Sequence, residues 1–266
     1  HFIGKDIAYF HTLFWPATLM GAGLRTPTAV YAHGFLTLNG EKMSKSRGTF
    51  IQARTYLNHL DPQALRYYFA AKLSSGIDDI DLSLDDFRQR VNSDLVGKVV
   101  NIASRCAGFI HKQFNSQLSP TLVSFDLNDK LLGAARTIKM RYEQRETGHA
   151  MREIMALADL VNQYIDEKKP WVMAKSPDTM ADVQGVCTDG LNAFRILMTY
   201  LTPVLPSMSV QAAQFLNRPQ LLWSDLERPL TGQKINAFEP LMTRIEQAAT
   251  DALLKASKEE AQALQQ

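Results

Sequence analysis

The sequence predicts a mostly α protein in which a short α/β segment leads into a bundle of long helices. Three observations carry this. One run, Ala29–Leu38, reads as a strand and ends in an Asn39-Gly40 turn, the strongest short-range hairpin signal. From Ser83 onward the apolar residues recur every three or four positions, which is the helical period. Helix punctuation is frequent: Asp61-Pro62, Ser83-x-x-Asp86, Pro170, and the pair Pro203 and Pro206.

Taken in order, the chain opens with a short extended or looped piece, and Asp6 is placed to cap a first helix. On that helix Ile7, Phe10, His11, Phe14 and Trp15 fall on one face. Such a face is either a core stripe carrying one satisfied histidine or the wall of an apolar pocket with a single polar ring. The strand and its turn follow, then Lys42-Met43-Ser44-Lys45-Ser46. Two lysines three apart, spaced by serines, can put ammonium groups and hydroxyls around one polyphosphate; lysine is a point charge on a flexible stem. An arbitrary K-x-x-K would instead be a solvated basic loop. Thr49 is expected to cap a helix to about Leu60, and Asp61-Pro62 restarts one carrying Leu65, Tyr67, Tyr68 and Phe69 to about Leu73. The acidic stretch 74–83 reads as an irregular solvated turn without calcium-loop spacing.

A long helix is expected from Ser83 to about Gln113, with Phe87, Val91, Leu95, Val99, Ile102, Cys106 and Phe109 as its apolar stripe. Lys98, Asn101, Arg105 and Lys112 share its polar face. That face is either solvated or built to read nucleotides, since Asn and Arg have the planar forks that recognise base edges. Gly97 inside this helix costs roughly 1 kcal/mol relative to Ala and suggests a close approach of backbone or RNA. Further helices are expected from Leu127 to about Arg145, from Gly148 to about Glu167 with Met151, Ile154, Ala158, Val161 and Ile165 on one stripe, from Met180 to Leu201 with Val183, Cys187, Phe194, Met198 and Leu201 inward, and from Met208 to Leu216. Lys168-Lys169-Pro170-Trp171 makes a corner whose tryptophan either packs in the core or stacks on an unpaired base. Residues 221–231 read as irregular and 243–266 as a polar terminal helix.

Composition bounds the function. With 45% hydrophobic and 21% charged residues, 266 residues make an ordinary globular chain of about two domains. A net charge of +2 means that any basic footprint is local. The two cysteines, Cys106 and Cys187, fall on apolar stripes, as buried thiols of a reducing compartment do, and two cysteines cannot make a structural zinc site. No apolar run is long enough to span a bilayer.

Lys42–Ser46 matches letter for letter the second signature of the class I aminoacyl-tRNA synthetases. F-I-G-K-D-I-x-Y-F-H…W-P-A, followed by G-F-L-T-L-N-G-E-K-M-S-K-S-R-G-T, resembles the methionyl-tRNA synthetases in particular. N-x-A-S-R at Asn101–Arg105 and P-W at Pro170-Trp171 match the same family. The resemblance implies that residues 1–37 end a Rossmann-type catalytic domain, 38–97 form the KMSKS loop and a segment contacting the tRNA stem, 98–242 form a helical anticodon-binding domain, and 243–266 a C-terminal helix. It implies catalytic Lys45 and Lys42, ATP held by Lys42, Ser44, Lys45 and Ser46, and a methionine pocket of Ile7, Phe10, His11, Phe14 and Trp15. Anticodon contacts fall to Asn101, Arg105, Pro170 and Trp171. The implied partners are methionine, ATP with Mg²⁺, and tRNA(Met) with a CAU anticodon, in the cytoplasm and without a membrane. His1-Phe2-Ile3-Gly4 is not the H-I-G-H first signature, because no phosphate-binding turn and helix follow it. That signature is expected upstream, with any zinc knuckle, and no metal site is expected here; the chain alone is expected to be inactive. The alternative is a non-catalytic helical module that binds RNA or protein and keeps a remnant of the loop.

Overall fold

A computed structural model describes residues 3–43 and 50–263 of the chain. The mostly helical architecture is as the sequence predicts. A 3-10 turn Lys5–Ile7 and a π-helical stretch Phe10–Phe14 lead into α1 (Trp15–Gly21). The cap is Gly4, with no side-chain bond, rather than Asp6, which lies inside the opening turn. The helix ends in a Schellman turn at Gly23, φ 68°, where Leu24 N–H returns to the Leu19 carbonyl at 2.8 Å.

The expected long strand shortens to β1 (Leu36–Leu38), and upstream the run is held by an isolated bridge between Gly4 and His33. It pairs antiparallel with β2 (Glu41–Lys42) across Asn39 and Gly40, whose φ of 49° and 80° suit a tight hairpin turn. On its other side it pairs parallel with β3 (Ile80–Leu82). The acidic stretch therefore corrects the expectation of a solvated turn: part of it is a strand. Between the strands lie α2 (Ala53–His59) and α3 (Pro62–Lys72). The α2 cap is Gln52; Thr49, proposed for that role, lies outside the described residues. Asp61 caps α3 as read, its carboxylate accepting from Gln63 N–H at 2.7 Å.

The rest is bundle. α4 (Leu84–Val91) runs through a π-helical stretch Asn92–Val100 into α5 (Asn101–Gln113). Phe87, Val91, Leu95, Val99, Ile102 and Cys106 of the expected stripe are fully buried, each large side chain contributing roughly 1.5–3 kcal/mol. The close approach at Gly97 is internal: a Cβ there would sit 3.2 Å from the Asn92 carbonyl oxygen of the same widened helix. The expected helix 127–145 is two, α6 (Phe125–Gly133) and α7 (Ala135–Glu143). Then come α8 (Thr147–Lys168), the short α9 (Pro170–Met173), α10 (Met180–Leu201), α11 (Pro206–Phe215) and α12 (Gln247–Ala263).

α10 is central. Val183, Cys187, Phe194, Met198 and Leu201 are inward as expected, and burial goes further: every residue from Gly185 to Leu201 is buried. Its polar side is occupied instead of solvated. Arg195 donates to the Asp225 and Leu226 carbonyls at 2.9 and 2.8 Å, and Asn192 exchanges bonds with the Leu230 backbone. Asp189 accepts from Val123 N–H, Ser124 N–H and the Tyr164 hydroxyl. Buried polar groups must be matched in this way, and the matching sews the irregular 221–231 stretch onto the bundle. Finally, Asn92 clasps the Ile245 backbone with bonds of 2.9 and 2.7 Å, returning the tail so that α12 lies against α2, with Thr55 donating to Glu260.

Candidate functional site

Three groups of residues matter, and the fold positions each differently. The first is a cleft of about 350 Å³ beside the opening helix. His11 and Trp15 line it, together with Ile3, Pro27, Val30 and Tyr31. The helix carrying them is π-wound over Phe10–Phe14, a geometry often found at functional sites. His11 Nδ1 lies 3.0 Å from the Ile7 carbonyl; a proton donated there makes Nε2 the acceptor nitrogen of the neutral ring. Ile7, Phe10 and Phe14 do not line this cleft and are 37%, 57% and 56% exposed. Phe10 and Phe14 stack on each other at 5.6 Å, with Tyr9 edge-on.

The second group is the hairpin leading to the signature loop. Lys42 ends β2 and is exposed, its ammonium 5.9 Å from the Phe35 ring centroid. Ser44, Lys45 and Ser46 lie outside the described residues. The hairpin is pinned from beneath by the acidic stretch. Asp81 Oδ1 accepts from the Thr37 hydroxyl and from Gly40 N–H in the turn, both at 2.7 Å. Asp79 Oδ1 accepts from Phe35 N–H at 2.8 Å and pairs with Lys5 at 2.7 Å, and these donors hold its carboxyl below the usual carboxylate range. Gly34 lets this approach happen: a Cβ there would stand 2.0 Å from the Asp78 carbonyl oxygen. Oδ1 of each of these two carboxylates is thus committed to the hairpin. Among the described residues no group of three or more His, Cys, Asp or Glu side chains is placed to hold a metal ion. Cys106 and Cys187 are both buried free thiols.

The third group is a polar ladder between two parallel helices. Lys98 pairs with Asp159 at 2.8 Å, Asn101 Nδ2 donates to Asn162 Oδ1 at 3.2 Å, and Arg105 pairs with Asp166 at 2.5 Å. Each pair is separated by 61 residues, so the Asn92–Gln113 helical run and α8 travel side by side in one direction. At the end of the ladder Lys169 adopts a left-handed conformation, φ 50°, and Pro170 starts α9. This sharp corner buries Pro170 and brings the Trp171 ring, 41% exposed, to 4.8 Å from the Arg105 guanidinium. Asn101, Arg105 and Trp171, 70 residues apart at the extremes, thus converge. An open indole face beside a cation and a carboxamide can take an unpaired base: the ring stacks and the forks read its edge. The partners Asp159, Asn162 and Asp166 were missed by sequence reasoning. Their signal was present, because they repeat on α8 the same three-and-four spacing as Lys98, Asn101 and Arg105.

Comparison with known proteins bears on all three groups. A family model described as tRNA synthetases class I (M) matches residues 1–107, and one described as the anticodon binding domain of methionyl tRNA ligase matches residues 121–257. The methionine–tRNA ligase of Vesicomyosocius okutanii is 57% identical over 258 residues.

The chain belongs to the methionyl-tRNA synthetase family.

It spans 97% of its own length in that match but 47% of the relative, so it corresponds to about half of that protein. The fold agrees. The Mycobacterium tuberculosis methionyl-tRNA synthetase in complex with methionyl-adenylate superimposes with a TM-score of 0.82 at 27% identity, covering 91% of this chain and 49% of the other. Its apo form gives 0.80 at 25%, covering 92% and 49%. Among the described residues no helix is long and apolar enough to cross a membrane.

Proposed function

We propose that this chain is part of a cytoplasmic methionyl-tRNA synthetase, which activates methionine with ATP to methionyl-adenylate and transfers the methionyl group to tRNA(Met). The observation that carries the reading is the convergence of Asn101 and Arg105, at the end of the stretch matched by the class I synthetase model, with Trp171 of the matched anticodon domain at one corner. Trp171 stacks on the first base of a CAU anticodon, Asn101 and Arg105 hydrogen-bond it, and buried Pro170 fixes the corner. The cleft with His11 and Trp15 takes the methionine side chain. Its sulfur packs well against aromatic edges, and Ile7, Phe10 and Phe14 complete the surround together with the rest of the enzyme.

The chemistry needs little covalent work from the protein. Methionine's carboxylate attacks the α-phosphate of ATP and pyrophosphate leaves, so positioning and charge stabilisation supply most of the rate. Lys45, with Lys42, follows the charge that builds on the leaving β- and γ-phosphates, and Ser44 and Ser46 add hydroxyl donors. Mg²⁺ enters with ATP, and no residue here is assigned to it. The division into 1–37, 38–97, 98–242 and 243–266 follows these roles: cleft, signature hairpin with stem-contact segment, anticodon bundle and returning helix. The half carrying the first signature and any zinc lies outside this chain, which alone is inactive.

The test is Lys45→Ala in the full-length enzyme. ATP–pyrophosphate exchange should fall by orders of magnitude while methionine binding changes little; equal losses in both would remove Lys45 from its role.

A further inference from the structure

One contact joins the helical bundle to the cleft. The Arg145 guanidinium carbon lies 3.5 Å from the ring centroid of Tyr31, which lines the His11–Trp15 cleft. Tyr31 is otherwise loosely placed: it is 59% exposed and sits in the irregular stretch 26–32. Arg145, by contrast, is presented from a firm base. It occupies the left-handed position, φ 62°, of the Schellman turn that ends α7, where Arg145 N–H returns to the Tyr142 carbonyl and Glu146 N–H to that of Arg141. Glycine is the easy residue there, since a Cβ is strained. An arginine that accepts this strain gains a stacking partner in return.

The corner itself is pressed onto the end of α3. Gly148 N–H donates to the Leu73 carbonyl at 2.9 Å, and a Cβ on Gly148 would come within 2.9 and 3.0 Å of the Leu73 and Ala71 carbonyl oxygens. From this corner α8 runs 22 residues to Lys168, past Asp166 and up to the Trp171 turn, about 33 Å of continuous helix. One rigid element therefore has its start beside the cleft wall and its end at the anticodon corner.

We propose that Arg145 is a positioning residue for the methionine cleft: its guanidinium holds the Tyr31 ring in the wall, so the helical bundle sets the shape of the cleft. This rests on the reading of that cleft as the methionine site. A cation stacked on an aromatic face at an exposed site has a modest effect, so Arg145→Ala in the full-length enzyme should raise KM for methionine about three- to tenfold. KM for ATP and kcat of pyrophosphate exchange should hardly move. Arg145→Lys should keep part of the effect, and Arg145→Ala with Tyr31→Ala should be no worse than the worse single variant.

Hydrogen exchange on the present chain supplies the second readout. Arg145→Ala should speed exchange of amides 29–33 and leave α5 and α10 unchanged. Unchanged exchange there would overturn the proposal, as would an unchanged methionine KM in an enzyme whose wild type is active. A wild-type full-length protein with no methionine-dependent exchange would instead overturn the underlying reading of the cleft.

Discussion

Asp81→Ala offers a direct way to ask how the signature loop is held. The side chain lies under the hairpin, and one oxygen takes both the Thr37 hydroxyl and the Gly40 N–H at 2.7 Å. Bonds to a charged acceptor contribute about 1.5–3 kcal/mol each when buried. These are partly exposed, so about 1 kcal/mol each is the fitting figure, or about 2 kcal/mol for the pair. The Asp81 backbone is held separately, its carbonyl accepting from the Tyr68 hydroxyl at 3.1 Å, so β3 should stay in place when the side chain is cut. If the hairpin must be seated for Lys42 and the loop beyond it to meet the phosphates, about 2 kcal/mol corresponds to a roughly 30-fold slower adenylate formation. The assay is ATP–pyrophosphate exchange at saturating methionine in the full-length enzyme, with a thermal melt to show the bundle intact. Asp81→Asn keeps an acceptor oxygen and should lose only a few-fold. Full exchange activity in Asp81→Ala, or equal losses in the Ala and Asn variants, would refute the reasoning.

Two further outcomes follow from packing and protonation. Gly148→Ala should destabilise the fold by about 1–3 kcal/mol in a denaturant titration, because two backbone oxygens stand in the way of the new methyl group. This outweighs the roughly 1 kcal/mol by which Ala favours a helix over Gly, and a stabilised variant would contradict it. His111 lies in the last turn of α5, where the helix dipole favours its charged form, yet burial lowers its pKa below the ordinary 6.5, and its buried Nε2 has no hydrogen-bond partner among the described residues. The unfolded chain therefore binds this proton more readily, so stability present above pH 6.5 is lost as pH falls below that value towards the folded pKa. Denaturant midpoints at several pH values should show this acid loss in wild type and less of it in His111→Gln; identical slopes would count against it.

What was legible in the sequence follows from which forces act along one element. The stripe Phe87 to Cys106 could be read because burial repeats with the helical period, and Asp61-Pro62 because capping is local. The polar face Lys98–Asn101–Arg105 could be found but not interpreted, since a solvated face and a paired ladder look alike until α8 is laid beside it. The acidic stretch was misread because β3 is three residues long, too short for a period to show, and its carboxylates act on a hairpin some 40 residues earlier. On the first helix the 3.6-residue period grouped Phe10 and Phe14 with His11 and Trp15. The stretch 27–33 that forms the opposite wall of the cleft stands against His11 and Trp15 and leaves the two phenylalanines outside it, and no local period reports where that stretch returns. The role of Tyr31 has no local signal at all, because its partner lies more than a hundred residues away.

The central claim is that the helical half reads an anticodon, and the most direct test is a binding titration of this chain with two anticodon stem-loops at one fixed salt concentration. One carries CAU, and the other differs only in the first anticodon base. A fork contact from Asn101 or Arg105 discriminates by about 1–3 kcal/mol, so the CAU loop should bind about tenfold tighter and Asn101→Ala with Arg105→Ala should erase the preference, whereas Trp171→Ala should weaken both loops alike, because stacking tolerates any base. Equal binding of the two loops by the wild-type chain would contradict the account.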